Sequence, residues 1–388
     1  MPSLTSIDTL FRQAVESGKM PGIIAVAATD RGRIYEGAFG TREVGTNAPM
    51  TLDTVVWIAS MTKAITATAA MQLVERGKLS LDRPAQEVVP ELAKARVLEG
   101  FDTAGQPRLR APKRAITLKH LLTHTAGYGY EIWRTEIARY QEATKTPGIT
   151  TCTNAALTTP LLFDPGDQFE YGINIDWVGK MVEAASGQRL DRYFKENIFG
   201  PLGMTDTAFS VSPAQRARQS RVHGRNEQGG LGPIEFALPE EPEFLMGGGG
   251  LYGTAGDYLA FTQMIVQGGT LNGARVLGSE TVELMSQNHI GAVEVGPLKT
   301  AAPPLSNDVN LFPGVPKKWG LSFLINMQPL ATGRSAGSLF WGGLANTYFW
   351  IDRTKRVSGV FLSQLLPFCD TTALDLLTKF ETEVYRAV

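Results

Sequence analysis

The sequence predicts an α+β chain: an antiparallel sheet flanked by helices and built from both chain ends, with a mainly helical domain inserted. Strand-like runs cluster towards the two ends of the 388 residues, while helical patterns separated by Pro/Gly loops fill the middle. The late strand-like runs are joined by short links, and short links join antiparallel strands, since a parallel crossover needs about a dozen or more residues. The expected division is a sheet domain from residues 1–80 and 246–388, with the helical domain spanning 81–245. A catalytic cleft is expected between them.

The first element is a surface helix, with Leu4, Ile7, Leu10, Phe11, Ala14 and Val15 at helical spacing. GIIAVAAT (Gly22–Thr29) and RIYEGAFG (Arg33–Gly40) follow as a hairpin around the turn DRG. A helix is expected from about Ser60 to Arg76, ended by Gly77. In the middle, ITLKHLLTHTAG and NIDWVGKMVEAASG read as helices stopped by glycine. LYGTAGDYLAFTQMIVQGG reads as a short strand and a helix. WGLSFLIN (Trp319–Asn326), SLFWGG (Ser338–Gly343), TYFWID (Thr347–Asp352) and VSGVFLS (Val357–Ser363) read as strands. The last helix, about Thr371 to Ala387, carries Leu374, Leu377, Phe380 and Val384 on one side. The proline-rich stretch Val293–Lys318 has no pattern, and reads equally as a flap over the cleft or as a surface loop.

Composition narrows the functional classes. With 43% hydrophobic residues, 19% charged residues and a net charge of −1, the chain reads as a soluble globular protein, without the basic surface needed to bind nucleic acid or an acidic membrane. Its two cysteines, Cys152 and Cys369, are too few for a disulfide framework and point to a reducing compartment. The N-terminus lacks the basic start and unbroken apolar run of a secretory signal, so a cytoplasmic location is expected. From Thr54 to Val74 the only charged residue is Lys63, and the run is long enough to cross a bilayer. An ammonium there would be costly in lipid, so a buried core helix is expected instead. A homo-oligomer is left open.

Two serines compete for a nucleophile's role. Ser335 lies in GRSAG, a G-x-S-x-G match. That motif needs a strand-to-helix turn, and a histidine later in the chain. Ser335 sits between strand-like runs, and the four histidines, His120, His124, His223 and His289, all precede it. A glycine-rich hairpin loop is the better reading. Ser60, in WIASMTK, opens a helix with Lys63 three residues later. Positions i and i+3 share a helix face, with Cβ atoms about 5–6 Å apart. The charge-free flanks of Lys63 supply the burial that lowers a lysine pKa from about 10.4. The helix N-terminus adds partial positive charge that favours a developing oxyanion. The structural alternative is a lysine reaching out of a core helix to the surface.

HLLTHTAG (His120–Gly127), EYGIN (Glu170–Asn174) and FWGGLANTYFWID (Phe340–Asp352) follow SMTK in order. With these stretches the chain resembles serine β-lactamase-like and penicillin-binding proteins, and most closely the family VIII carboxylesterases of class C β-lactamase type. The resemblance covers nearly the whole chain. It implies Ser60 as nucleophile, Lys63 as its activating neighbour, and Tyr171 either activating Ser60 or protonating the leaving alcohol. It also implies an oxyanion site of the backbone N–H groups of Ser60 and Leu344. If Tyr171 is a base, nearby positive charge must stabilise a phenolate, since tyrosine titrates near about 10.

Departures from the family pattern bear on substrate. Asn174 stands one place later than in Y-x-N and reads as a helix cap. Trp341-Gly342-Gly343 replaces K-T-G, so a broad apolar face stands where a cation would meet a carboxylate. Trp341, Gly342, Gly343 and Tyr128 are the expected substrate-binding residues, and Tyr130 and Trp133 read equally as aromatic wall or core. The expected substrate is a small neutral ester of short or medium acyl length. A β-lactamase, a D-alanyl peptidase and an acyltransferase are alternatives on the same residues. His120 and His124 lack a third ligand for zinc, and Gly247–Gly250 lacks the lysine of a phosphate loop, so no metal or cofactor is implied.

Overall fold

The computed structural model describes residues 5–226 and 228–388, and the predicted helical position Leu4 lies outside them. The centre is a seven-stranded sheet. Across it the strands run Lys317–Trp319, Leu324–Asn326, Leu339–Gly343, Thr347–Asp352, Val357–Leu362, Gly22–Thr29 and Gly32–Gly40. Every neighbouring pair is antiparallel. Gly22–Thr29 pairs with Val357–Leu362 in the register Val26↔Val360, so the two ends of the chain close one sheet.

Helices cover both faces. Phe11 of helix Thr5–Glu16 packs on Phe361 and on Phe380 of helix Thr371–Ala387. On the other face, Thr262 of helix Ala255–Val266 shares a hydrogen bond of 2.8 Å with Ser358. Residues 358 and 361 differ in parity, so their side chains leave opposite faces. Burial on both faces explains the unbroken apolar runs of the inner strands.

The predicted strand Trp319–Asn326 is instead one arm and the turn of a tight hairpin, with Trp319 paired to Leu324. Gly320 allows the bend: a Cβ there would lie 2.3 Å from the Met285 carbonyl oxygen. The middle of the chain also holds a hairpin with no apolar alternation, Val97–Phe101 with Pro107–Arg110.

The predicted core helix runs Thr62–Glu75 and is buried throughout its first three turns. Its threonines find partners inside the protein, Thr66 on the Gly247 carbonyl and Thr68 on the Ala64 carbonyl, so a polar helix can lie in the core. Among the described residues no helix is long and apolar enough to cross a membrane.

Two helix ends differ from expectation. The helix in ITLKHLLTHTAG is only Leu118–Leu122, ending well before Gly127, and His120 closes a capping box with Thr117 at its start. Asn174 does not cap the helix Asn174–Ser186; Ile173 holds the cap position. The Asn174 amide instead bonds the Tyr128 carbonyl (3.2 Å) and the His124 ring (2.9 Å).

Candidate active site

Ser60 lies in a 3₁₀ turn, Ala59–Met61, that feeds the buried helix. Ala59 holds φ +46, a left-handed conformation that costs energy for a residue with a Cβ. The end of strand Leu339–Gly343 is pressed against this turn: a Cβ on Gly343 would lie 2.3 Å from the Ile58 carbonyl oxygen and 2.4 Å from Thr347 Oγ1. That contact brings Leu344 beside the serine turn, where it packs on the apolar group containing Ala59 and Ala345.

Lys63 is 1% exposed. Its Nζ stands 3.0 Å from Ser60 Oγ, 3.1 Å from Tyr130 Oη and 2.5 Å from the Gly248 carbonyl oxygen. Burial drives its pKa down to about 7, while the carboxylate of Asp176 works in the opposite sense. A neutral amine has two N–H groups and one lone pair. With the N–H groups on Gly248 and Tyr130, the lone pair is left for the Ser60 hydroxyl. Asp176, equally buried, accepts the Gly248 N–H at 2.8 Å, while the Gly248 carbonyl accepts from Lys63, so both groups bond the backbone of one residue. Burial raises the Asp176 pKa, opposed by Lys63 and by the Gly248 N–H.

Tyr171, from the stretch before helix Asn174–Ser186, bonds the same serine. It is buried, and its hydroxyl accepts the Trp341 indole N–H at 2.9 Å. Burial pushes its pKa up, more than hydrogen bonds with Ser60 and Trp341 lower it. The raised pKa favours the phenol, the form that can protonate a leaving alcohol, over the phenolate that a base would need. Gly172 allows the loop its position: a Cβ there would lie 2.1 Å from the Tyr128 carbonyl oxygen. Trp133, Trp319 and Trp341 surround the Tyr171 ring at centroid distances of 5.6, 6.3 and 4.8 Å.

The structure thus brings Ser60, Lys63, Tyr171 and Trp341 together, with Gly343 and Leu344 at the serine turn. Trp341, expected as an apolar substrate face, is 5% exposed and spends its N–H on Tyr171. Gly342 is also a packing glycine, since a Cβ would lie 2.6 Å from the Tyr348 ring. Tyr128 is not at the serine. It lines a cavity of about 620 Å³, with Leu157, Trp177 and Lys180, whose wall includes neither Ser60, Lys63 nor Tyr171. Tyr130, read equally as aromatic wall or core, instead bonds Lys63 through its hydroxyl.

No motif in the sequence singles out Asp176. Its one signal is a carboxylate within the otherwise apolar face of NIDWVGKMV, where a buried charge needs a partner. Ser335 sits in the loop before Leu339–Gly343, its N–H on Asp352 at 2.8 Å. Its neighbour Arg334 is fully buried on Glu381, which ties this loop to the last helix. The stretch 293–318 is neither a bare surface loop nor detached: the Trp133 indole donates to Ser306 (3.1 Å), and Ala301 N–H donates to the Ile132 carbonyl (2.8 Å). It straps the aromatic wall, leaving about 10 Å³ between Leu298, Val309 and Trp341.

A family model described as Beta-lactamase matches residues 7–379. The chain belongs to the beta-lactamase family. Within it, the chain is 32% identical to monacolin J acid methylbutanoyltransferase of Aspergillus terreus, covering 98% of this chain and 95% of that one. It is 32% identical to lovastatin esterase of Penicillium rubens, covering 98% of both. Among solved structures, a mutant simvastatin synthase from Aspergillus terreus superposes with a TM-score of 0.87 at 32% identity, over 99% of this chain and 97% of that one. The relatives thus include a protein named as an acyltransferase and one named as an esterase, and the fold is the one the motif order implied.

Proposed function

We propose that the protein is a serine carboxylesterase acting on neutral esters of short or medium acyl length through an acyl-enzyme on Ser60. The observation that carries this is the fully buried Lys63 amine, 3.0 Å from Ser60 Oγ. Lys63 takes the hydroxyl proton as Oγ attacks the ester carbonyl carbon. The backbone N–H groups of Ser60 and Leu344 hold the oxyanion. As the ester C–O bond breaks, Tyr171 gives its phenolic proton to the leaving oxygen and regains one from the Lys63 ammonium. Water then enters by the reverse path and frees the acid. No cofactor takes part. Trp341 in place of a lysine favours a neutral substrate over a β-lactam or a peptide with a free carboxylate, because it offers no ionic partner.

A second reading keeps every residue and changes the acceptor: an alcohol takes the acyl group instead of water. The likeness to a methylbutanoyltransferase supports it. So does the aromatic enclosure of Tyr171, which limits water at the reacting centre.

Fluorophosphonate labelling with peptide mapping tests both readings, because they share the nucleophile. The label is expected on Ser60, and Ser60→Ala is expected to abolish p-nitrophenyl butyrate turnover. A label on Ser335 would sink them. Added butanol then separates them: acyl transfer gives butyl butyrate in proportion to alcohol, and hydrolysis gives butyrate regardless.

A further inference from the structure

We propose that His124 is a positioning residue for Tyr171, holding the tyrosine hydroxyl over Ser60 by gripping the backbone on both sides of it. This rests on the proposed role of Tyr171. The Glu170 N–H donates to the His124 carbonyl at 2.8 Å, and the Gly172 N–H donates to His124 Nδ1 at 3.3 Å. One residue thus holds the amide before and the amide after Tyr171. Its imidazole also lies against the Tyr171 ring, with centroids 4.7 Å apart. Trp319 closes the far side, edge-on at 5.2 Å. The Asn174 amide bonds the same Nδ1 at 2.9 Å and the Glu170 carbonyl at 3.3 Å, which ties the grip to the start of the following helix.

Two costs mark this histidine as more than filler. Because Nδ1 accepts from a backbone N–H, the proton sits on Nε2. Nε2 has no hydrogen-bond partner among the described residues, and an unpaired buried donor is costly. His124 also holds φ +55, which a residue with a Cβ adopts at a cost. An apolar ring would avoid the unpaired donor but offers no acceptor to Gly172. Among the described residues the imidazole has no acidic side chain bonded to it and belongs to no cluster of ligating side chains. Productive geometry tolerates errors of only about 0.5 Å, so a loosened Tyr171 loop should lower rate before binding.

The test is a double-mutant cycle read by the rate of fluorophosphonate labelling of Ser60 and by p-nitrophenyl butyrate kinetics. His124→Ala should lower kcat about 10- to 100-fold while KM stays within about threefold. In a Tyr171→Phe background the same change should cost less than about twofold, since its effect runs through the hydroxyl already removed. His124→Asn, which offers an oxygen acceptor and tolerates positive φ, should recover to within about fivefold of wild type. His124→Leu should not recover, and the Asn/Leu comparison suffices if the alanine variant fails to fold. Equal losses in both backgrounds, or equal activity of the Asn and Leu variants, would overturn the proposal. Ser60→Ala in the same assay separates the levels: if it keeps turnover, the serine reading itself falls. If it is inactive while His124→Ala matches wild type, only the positioning role falls.

Discussion

The indole N–H of Trp341 donates to the hydroxyl of Tyr171 across 2.9 Å. Tyr171 comes from the irregular stretch before a helix, and Trp341 from an inner strand of the sheet. The bond leaves the phenol oxygen one acceptor site occupied and its O–H free to turn towards Ser60.

Trp341→Phe keeps the aromatic bulk and removes the donor. A lost buried hydrogen bond of this kind costs about 1–3 kcal/mol, and about 1.4 kcal/mol is tenfold in rate. We expect kcat on p-nitrophenyl butyrate to fall about tenfold with KM little changed. A rise in KM at constant kcat would return Trp341 to the role of a substrate contact.

The pH profile follows from Lys63. Only the neutral amine accepts the serine proton, and burial holds its pKa down to about 7. Plots of kcat/KM should therefore rise with pH through an apparent pKa near that value and lie flat above it. The Asp176 carboxylate raises the Lys63 pKa, so Asp176→Asn should move the acid limb to lower pH. A shift to higher pH would show the coupling to have the other sign. Stability has the same origin. Between the lowered folded pKa and the unfolded value of about 10.4, the unfolded chain binds more protons, so the Lys63 contribution to stability improves as pH rises through that window.

Gly343→Ala places a methyl 2.3 Å from a backbone oxygen that cannot move without shifting the serine turn. Overpacking of this kind costs about 1–3 kcal/mol. Thermal melts should show that loss, and fluorophosphonate labelling should slow at the same time. Normal labelling at unchanged stability would mean that the strand end can retreat from the turn.

GRSAG should respond as structure. Ser335→Ala is expected to leave turnover within about twofold of wild type, as surface changes usually do. Glu381→Ala leaves Arg334 buried without its partner, which costs about 3–5 kcal/mol. Denaturant melts against activity at low temperature would separate the two, and a catalytic loss in Ser335→Ala would contradict the loop reading.

Much of the fold was legible because it is local. Thr347–Asp352 and Thr371–Ala387 stand where β-branched residues and helical periodicity put them. Trp319–Asn326 reads as one strand because its turn depends on Gly320 meeting a distant carbonyl, which no window of apolar residues reveals. Ser60 and Lys63 were legible for the same local reason: one helical turn sets their approach. Tyr130 and Tyr128 could not be told apart, since both follow HTAG and only the crossing of Gly172 over Tyr128 decides which ring faces Lys63.

By itself the sequence determined the serine and lysine pair, the strands and helices that carry it, and the order of the supporting motifs. These follow from spacing within a few residues, where backbone geometry leaves little freedom. Tertiary structure decided the rest: that Lys63 is dry, that the buried Asp176 carboxylate opposes its neutralisation, and that the Tyr171 hydroxyl is bonded to Trp341. Protonation depends on how much water and charge surround a group, and those neighbours come from stretches of chain that meet only when the sheet closes.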